Sequence, residues 1–313
     1  MQSIIDTIAL VICTRNRSRY MSGLLENLAS LNTVPRRIVI VDSSEDDLTL
    51  NLISATDVRL RKNILYIKSA PGLPYQRNVG IRAILSDCEC EQVKIISFTD
   101  DDCRLAVDYF EHLSEYAKTN SNFSAISGVL YPVEYEKPNL WRRIFYLDSK
   151  SSGSVLKSGY TTPIHGVDVL CEVGWIPGGS MNIKRKVLES TLFDSNLRMY
   201  GEDLKMSLML KKFGPLLAHS KMKYQHLEAT LGKDNLKDII AYTDGIRWQL
   251  SKEFPETIMR RYVLLSIMGS VMANLIGYVK SKNTNEENRL LLLGHLQFLS
   301  RLARGTQYVQ TNQ

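Results

Sequence analysis

Short runs of β-branched residues alternate with helix-like stretches over roughly the first third of the chain. Because strands that alternate with helices are typical of a parallel sheet covered by helices on both faces, this pattern predicts an α/β fold. The strand-like runs are Ile8–Ile12, Ile38–Val41, Ile64–Ile67 and Val93–Phe98. The helix-like stretches lie near Tyr20–Leu31, Asp47–Ala55 and Tyr75–Leu85.

The pattern is less regular in the middle of the chain. A second region begins near Phe123–Val129, and Tyr131–Leu170 shows no clear period. We expect this irregular stretch to be a loop or insertion of the kind that closes over substrate. Order resumes at Trp175–Asn182, and a helix over about Glu202–Lys212 and a strand pair near Leu216–His226 follow.

The remainder of the chain is helical in pattern. The run Tyr262–Val279 carries no charge and is just long enough to span a membrane, although its stripe of small residues favours a helix packed in the protein or in a dimer. The amphipathic stretch Leu290–Arg304 fits a core or a membrane surface equally well. We therefore predict a catalytic domain over 1–230, with a nucleotide-binding half of about 1–122 and an acceptor half of about 123–230, and a helical region over 231–313.

Composition narrows the class of protein. The 313 residues are 44% hydrophobic and 23% charged, which suffices for a large α/β domain with a smaller appendage. The formal charge of +6 suits small anions or an anionic membrane surface, and no recognition motif for nucleic acid is present. Five cysteines fit no zinc or disulfide spacing, which favours free thiols in a reducing cytosol. We also expect no signal peptide, because a strand-like run begins almost at once.

The strongest chemical signal is the triplet Asp100, Asp101 and Asp102, which directly follows an apolar strand. Three adjacent carboxylates repel one another, and a divalent cation with oxygen ligands, Mg²⁺ or Mn²⁺, would offset that repulsion and hold a diphosphate. Ligands of open α/β sheets bind at the carboxyl ends of the strands, which is where the triplet lies. The alternative is an acidic turn or helix N-cap, since a helix is predicted over Leu105–Lys118.

Other polar residues follow predicted strands or open predicted helices. Asp42 ends the second strand, where its carboxylate could accept the imide N–H of a uracil or thymine ring. Arg77 lies in a Gly/Pro loop that opens a helix, a position suited to anions or to a plain surface residue. Glu202 and Asp203 begin a helix and could be catalytic or merely dipole-stabilising, and His226 follows a strand as a further metal ligand or a structural histidine.

The ordered set of these motifs resembles glycosyltransferase family 2 and its GT-A fold, over roughly residues 7–226. The matching order is Thr14-Arg15-Asn16, Asp42, Arg77-Asn78, Asp100-Asp101-Asp102, Gly178-Gly179-Ser180-Met181-Asn182, Phe193-Asp194 and Glu202-Asp203. The resemblance implies a Rossmann-like, mostly parallel central sheet flanked by helices, with a helical C-terminal extension. It also implies a nucleotide-sugar donor and a divalent metal, Mn²⁺ or Mg²⁺.

The resemblance assigns roles residue by residue. The base would contact Asp42 and the ribose Asp101, the remaining donor-nucleotide ligands being Thr14, Arg15, Asn16, Arg77 and Asp100. The metal would bind Asp102 and His226. The sugar and acceptor site would include Trp175, Gly178, Gly179 and Asn182. Asp203 would be the catalytic base, with Glu202 beside it.

The expected reaction is an inverting, metal-assisted transfer of one hexose, with a UDP-sugar as first choice, to a hydroxyl of a saccharide or lipid-linked saccharide. The Gln/Arg-x-x-Arg-Trp motif of processive family members is absent, which favours non-processive transfer. We also expect a role in cell-envelope polysaccharide synthesis. A sugar nucleotidyltransferase and a non-catalytic nucleotide-sugar-binding module remain alternatives. We expect a cytoplasmic location, and leave open a peripheral contact at the inner membrane face and a homodimer.

Overall fold

The computed structural model describes residues 3–132, 138–197, 200–227, 236–282 and 284–305. The chain divides into two compact units. The first unit comprises Met1–Glu134 and Ile164–Glu228, and the second comprises Tyr135–Pro163 and Ala229–Gln313. The second unit thus takes in part of the stretch that the sequence pattern predicts to be an insertion, in addition to the C-terminal helices. The predicted domain boundary at residue 230 stays a prediction.

Nine strands in the described part of the first unit form one sheet. The strands are β1 (Ser3–Thr14), β2 (Thr33–Asp42), β3 (Ile64–Lys68), β4 (Ile95–Asp100), β5 (Cys103–Leu105), β6 (Ala125–Leu130), β7 (Leu170–Glu172), β8 (Met181–Lys184) and β9 (Leu216–His226). Their order is β3-β2-β1-β4-β8-β6-β9-β5, and β7 pairs with β9. The first four strands are mutually parallel, whereas β8 is antiparallel to both of its neighbours.

Helices lie between the strands and make up most of the second unit. In the first unit they are α1 (Ser18–Ser30), α2 (Leu48–Ala55), α3 (Val58–Arg61), α4 (Leu73–Ser86), α5 (Tyr109–Thr119), α7 (Arg185–Leu188) and α8 (Glu202–Leu210). In the second unit they are α6 (Leu140–Ile144), α9 (Leu236–Glu253), α10 (Arg260–Lys280) and α11 (Glu286–Ala303). The predicted α/β class with a helical C-terminal region is confirmed.

The sheet is buried on both faces, and β1 shows why. Successive side chains of a strand point to opposite faces. Ile8, Leu10 and Ile12 accordingly belong to one buried cluster, which includes the apolar face of α1. Ala9 and Val11 belong to the other, where Ile81 of α4 packs. A strand buried on both faces needs continuous rather than alternating hydrophobicity, which is the pattern of this run.

Three local expectations differ from the structure. Asp102 is not the N-cap of a helix, because the short strand β5 follows it and α5 begins only at Tyr109. The predicted strand pair near Leu216–His226 is a single strand, β9, which pairs along its length with β5, β6 and β7. The stretch predicted to be irregular contains the helix α6, which Asn139 caps by accepting a hydrogen bond from the backbone N–H of Arg142.

The second unit has a buried charge cluster at its centre. Asp244 on α9 accepts from Arg247 Nη2 at 2.5 Å and lies 2.6 Å from Nδ1 of His295 on α11. Arg247 also donates to the carbonyl of Ser158 and to Oγ of Ser266. A charge removed from water costs several kcal/mol unless it is paired, so this cluster ties α9, α10 and α11 together only while it is complete.

Candidate active site

Strand register brings the predicted site residues to one edge of the first unit's sheet. Thr14 pairs with Asp42, and Cys13 pairs with Asp100, at the carboxyl ends of β1, β2 and β4. Cys103 of β5 pairs with His226 of β9, so the end of β9 also reaches this edge. Parallel strands that end at the same level place the residues that follow them side by side, as open α/β sheets do at their ligand sites.

The Asp triplet forms a tight acidic cluster. Asp101 and Asp102 are buried, whereas the side chain of Asp100 is 31% exposed. Burial raises the pKa of Asp101 to about 6, although Thr14 and Arg17 act in the opposite direction. Burial would also raise the pKa of Asp102, but hydrogen bonds from His226 and Arg17 hold that pKa below its usual value.

Arg17 is a member of this cluster that the sequence motifs did not single out. Its guanidinium lies 3.2 Å from Asp101 Oδ1 and 2.5 Å from Asp102 Oδ2, over the ring of Tyr20. It follows β1 by three residues, in the basic loop that begins at Thr14. The signal available in the sequence was this position, because a basic residue just after a strand faces the same edge as the acids.

The donor set at the triplet fits a divalent cation. Ligand atoms of Asp100, Asp102, Cys103 and His226 all lie within 4.8 Å of one another. The carboxylates suit Mn²⁺ and Mg²⁺, which prefer oxygen ligands, and the imidazole is a ligand of the kind that transition metals accept. Burial raises the pKa of the Cys103 thiol well above its usual value, so we expect this sulfur to stay protonated and the acids and His226 to hold the metal.

Arg77 links the Asp triplet to the acidic pair of α8. The side chain is buried and donates to Glu202 Oε1 at 3.0 Å and to Asp100 Oδ1 at 3.2 Å. It also lies over the ring of Phe193. Burial alone would lower the pKa of Arg77, but Asp100 and Glu202 more than offset this and raise it. Arg77 therefore remains a fixed positive charge between the two groups of acids.

The two acids at the start of α8 have different surroundings. Glu202 is buried against Arg77, and burial followed by the Asp203 charge raises its pKa. Asp203 is partly exposed, and its Oδ1 accepts from the backbone N–H of Leu204 at 2.7 Å. Burial is also the main reason why the pKa of Asp203 is raised. A carboxylate with a raised pKa and some access to solvent is suited to accept a proton.

Asp42 is fully buried at the end of β2. Its Oδ1 accepts from the backbone N–H of Ser44 at 2.7 Å and from the Ser44 hydroxyl, and its Oδ2 accepts from Tyr66 at 3.0 Å. Burial and the hydrogen bond to Asp42 raise the pKa of Tyr66 to about 12. A nucleotide base that binds Asp42 would therefore have to share the carboxylate oxygens with Ser44 and Tyr66, or displace these two residues.

Two glycines allow the short 3₁₀ helix Gly178–Ser180, which precedes β8, to pack closely against the acidic cluster. A Cβ on Gly178 would lie 2.3 Å from Arg77 Nη2, and one on Gly179 would lie 2.8 Å from the Cys103 sulfur and 3.3 Å from Asp100 Oδ2. Only residues without a side chain fit beside Arg77 and the acids. Both predicted glycines thus lie in direct contact with the cluster.

The remaining predicted site residues, Asn182, Arg15, Asn16 and Trp175, differ in their burial and in their contacts. Asn182 is buried and donates to Tyr109 and to the carbonyl of Ile126, which is a core position. Arg15 is 52% exposed and faces Glu45. Asn16, in a left-handed conformation with φ of 53°, bonds Ser44 and Glu45, and so joins the loop after β1 to the loop that holds Asp42. Trp175 is half-buried.

Comparison with known proteins identifies the family and the fold. The family model described as "Glycosyl transferase family 2" matches residues 9–189 of this chain. The match covers more than half of the chain, so the chain belongs to that family. No match is found among proteins with curated descriptions.

Solved structures show the fold at low sequence identity. Mannosyltransferase PcManGT from Pyrobaculum calidifontis, in complex with GDP-Man and Mn²⁺, is 12% identical with a TM-score of 0.59, over 97% of this chain and 88% of that one. S. aureus TarS is 14% identical with a TM-score of 0.52, over 91% of this chain, which spans about 55% of that TarS chain. TarS 1–349 in complex with UDP is 14% identical with a TM-score of 0.50, over 98% and 94%. The GT-A fold expected from the motifs is confirmed.

Proposed function

We propose that this family 2 glycosyltransferase moves one hexose from a nucleoside-diphosphate sugar to a hydroxyl of a saccharide or lipid-linked saccharide. The observation that carries the proposal is that Arg77 contacts both Asp100 and Glu202. It thereby connects the acids that are suited to bind a metal with the acids that are suited to accept a proton. A transferase needs both within one site, because the leaving diphosphate and the attacking hydroxyl are on opposite sides of the same carbon.

The proposed reaction is an inverting single displacement. The acceptor oxygen bonds to the anomeric carbon as the bond from that carbon to the diphosphate oxygen breaks. The hydroxyl proton passes to the Asp203 carboxylate, and the electron pair leaves with the diphosphate. A divalent metal at Asp102 and His226 would supply charge stabilisation for that diphosphate.

The other residues of the site bind and position in this proposal. Asp42 and the loop at Asn16 contact the nucleotide base, and Asp101 contacts the ribose. Arg17 lies on the side of the Asp triplet where the diphosphate binds. Arg77 orients Glu202 and Asp100, since its buried guanidinium contacts both. Gly178 and Gly179, which pack against Arg77 and Cys103, would line the sugar and acceptor site beside Asp100.

The donor base and the metal are parts of the proposal that direct binding can test. PcManGT was solved with GDP-Man and Mn²⁺ and TarS 1–349 with UDP, so neighbours of this fold hold either base. A UDP-sugar is the first choice to test, because the Asp42 carboxylate can accept the imide N–H of uracil; guanine N1–H and its amino group are donors too, so GDP-sugars belong in the same binding test. We also propose a cytoplasmic location, since all five cysteines are free.

One set of assays separates this function from its alternatives. Thermal shift with UDP- and GDP-sugars, each with Mn²⁺, Mg²⁺ or EDTA, identifies the donor, because a ligand of the folded state raises its apparent stability. With that donor, release of nucleoside diphosphate should increase when a saccharide acceptor is added, and Asp203→Asn should abolish the increase. Pyrophosphate release from a nucleoside triphosphate and a sugar phosphate would instead indicate a nucleotidyltransferase. Binding without turnover under every acceptor would indicate a non-catalytic module.

A further inference from the structure

One face of α10 in the second unit is apolar and uncovered in the described part of the chain. Among those described residues, α10 is the one helix long and apolar enough to cross a membrane, with a mean hydropathy of 1.7, by length and composition alone. Only 22% of the most apolar 18-residue stretch of this helix is buried, so α10 is not a core helix. The exposed large side chains on it are Met268, Met272, Leu275, Ile276 and Val279, each at least 44% exposed.

These five side chains form a single stripe. At 100° per residue, their positions fall within an arc of about 100°, which is the width of an amphipathic face. The opposite side of the helix is occupied, because Val263, Ser266 and Ile267 are buried. The helix therefore has a packed face and an open face, which is the pattern of an amphipathic helix that lies on a surface.

The helix α6 adds to this open face. Trp141 of α6 donates to the carbonyl of Gly269 at 3.2 Å, and a Cβ on Gly269 would collide with the ring of Phe145. α6 thus packs on α10 one residue from Met268. Its other side carries Leu140 and Ile144, which are 68% and 55% exposed.

Basic residues flank the stripe, and neither helix carries an acid. Arg261 lies two turns before Met268 on the same face, and Lys280 lies at the far end of the helix; both are exposed. Arg142 and Arg143 are exposed on α6. A second copy of the chain is a poor occupant, because an antiparallel pairing of two such helices would bring Arg261 near Lys280, and a parallel pairing would bring each near its own counterpart. An anionic surface meets both the apolar stripe and its basic ends.

From this pattern we infer that α10 and α6 form a membrane-docking face that lies in the interface of an anionic bilayer without crossing it. The helix is about 30 Å long and would lie parallel to the surface, with Met268 to Val279 among the acyl chains and the basic residues at the lipid headgroups. This inference concerns the second unit and does not depend on which sugar or metal the first unit binds.

Vesicle flotation of the full-length chain tests this face. We expect the protein to float with vesicles of phosphatidylcholine and phosphatidylglycerol, to float poorly with phosphatidylcholine alone, and to be released as salt is raised. Leu275→Asp should lower the vesicle-bound fraction about tenfold, because it places a charge in the apolar stripe. The matched control is Leu48→Asp in the first unit, a leucine of similar exposure, 51% against 47%, which should float like the wild type.

Four results would overturn the inference. The first two are no binding to anionic vesicles and equal binding by Leu275→Asp and the wild type. The third is a cellular protein that resists carbonate extraction, which would indicate a membrane span. The fourth is a dimer that forms without vesicles and that Leu275→Asp converts to a monomer, while neither form binds lipid. Thermal melts of both variants show whether they fold. If Leu275→Asp does not, the lipid-composition and salt dependence of the wild type still decide the question.

Discussion

The guanidinium of Arg17 lies between Asp101 and Asp102, where a fold of this kind is expected to bind a divalent cation. Two buried carboxylates next to each other repel, and a positive charge within 4 Å offsets that repulsion. Arg17 supplies this charge from within the chain, since its contacts require no ligand. A divalent cation that binds Asp102 therefore competes with Arg17 for the same carboxylate.

Replacement of Arg17 should strengthen metal binding in the absence of nucleotide. We expect Arg17→Ala to lower the Kd for Mn²⁺ by about tenfold, a modest figure because a third of the Arg17 side chain is exposed and screened by solvent. Isothermal titration calorimetry with Mn²⁺ alone measures this. Arg15→Ala is the control, because Arg15 lies in the same loop and its ion pair is with Glu45, at 3.8 Å, and not with the Asp triplet. An unchanged or weaker affinity in Arg17→Ala would show that Arg17 does not compete with the metal.

The acids of α8 should separate into a base and a supporting residue. Asp203→Asn cannot accept a proton, so we expect kcat to fall by about 10²- to 10⁴-fold with donor affinity near that of the wild type. Glu202→Gln removes the charge that faces buried Arg77, so its main effect should be a loss of about 1–3 kcal/mol in unfolding free energy. Steady-state kinetics and urea unfolding of both variants check this. Turnover lost in Glu202→Gln and kept in Asp203→Asn would reverse the two roles.

At the scale of elements, the sequence predicted the parallel half of the sheet well. β1 to β4 are apolar runs long enough to show a pattern, and β1, β2 and β4 end at Thr14, Asp42 and Asp100, at the carboxyl edge where open α/β sheets bind ligands. The short strands β5, β7 and β8 were not predicted, because three or four residues carry no recognisable period and their partners are distant in sequence. β9 is eleven residues long, but the polar residues from His219 to Lys221 interrupt its apolar run, so the sequence pattern indicates two strands where the structure has one.

The sequence identified the acidic residues of the site, but it did not reveal which side chains contact one another there. The triplet, the α8 pair and the two glycines lie together, because each follows or begins an element that ends at the same edge. The role of Arg77 as a link between acids depends on burial, which no local pattern reveals. Asn182 belongs to the family's motif, yet its amide satisfies Tyr109 and Ile126 in the core, a tertiary requirement that its position in the motif does not indicate.

The charge cluster of the second unit should hold its helices together. Asp244→Ala would leave buried Arg247 and His295 without their shared carboxylate, so we expect a loss of about 3–5 kcal/mol in unfolding free energy. Urea unfolding monitored by circular dichroism measures it. Asp238→Ala is the matched control on α9, since that carboxylate is exposed and accepts one hydrogen bond from Gln297. Its effect should stay within about 1 kcal/mol. Equal stability of the two variants would mean that the buried cluster contributes nothing.

At the scale of the whole molecule, metal and donor should act on stability together. Every residue proposed to bind either ligand lies in the first unit, and the candidate metal ligands Asp102 and Asp100 also contact Arg17 and Arg77, respectively. A metal held by two or three protein ligands is completed by the diphosphate, so each ligand favours binding of the other. By linkage, this coupling appears as a rise in Tm that neither ligand produces alone.

Asp102→Ala should remove this joint effect and leave the fold intact. At a donor concentration about 100 times Kd, the bound ligand adds about 2.7 kcal/mol, which raises Tm by about 4 °C in a protein of this size. We expect the wild type to show this shift with donor and Mn²⁺ and to lose most of it in EDTA, and the variant to lose it in both. Asp6→Ala is the control, because Asp6 is 58% exposed at the opposite end of β1 from the site and should shift like the wild type. Differential scanning fluorimetry over a donor titration gives all of these values. A full metal-dependent shift in Asp102→Ala would exclude Asp102 as a ligand and would place the cation elsewhere along the acidic edge.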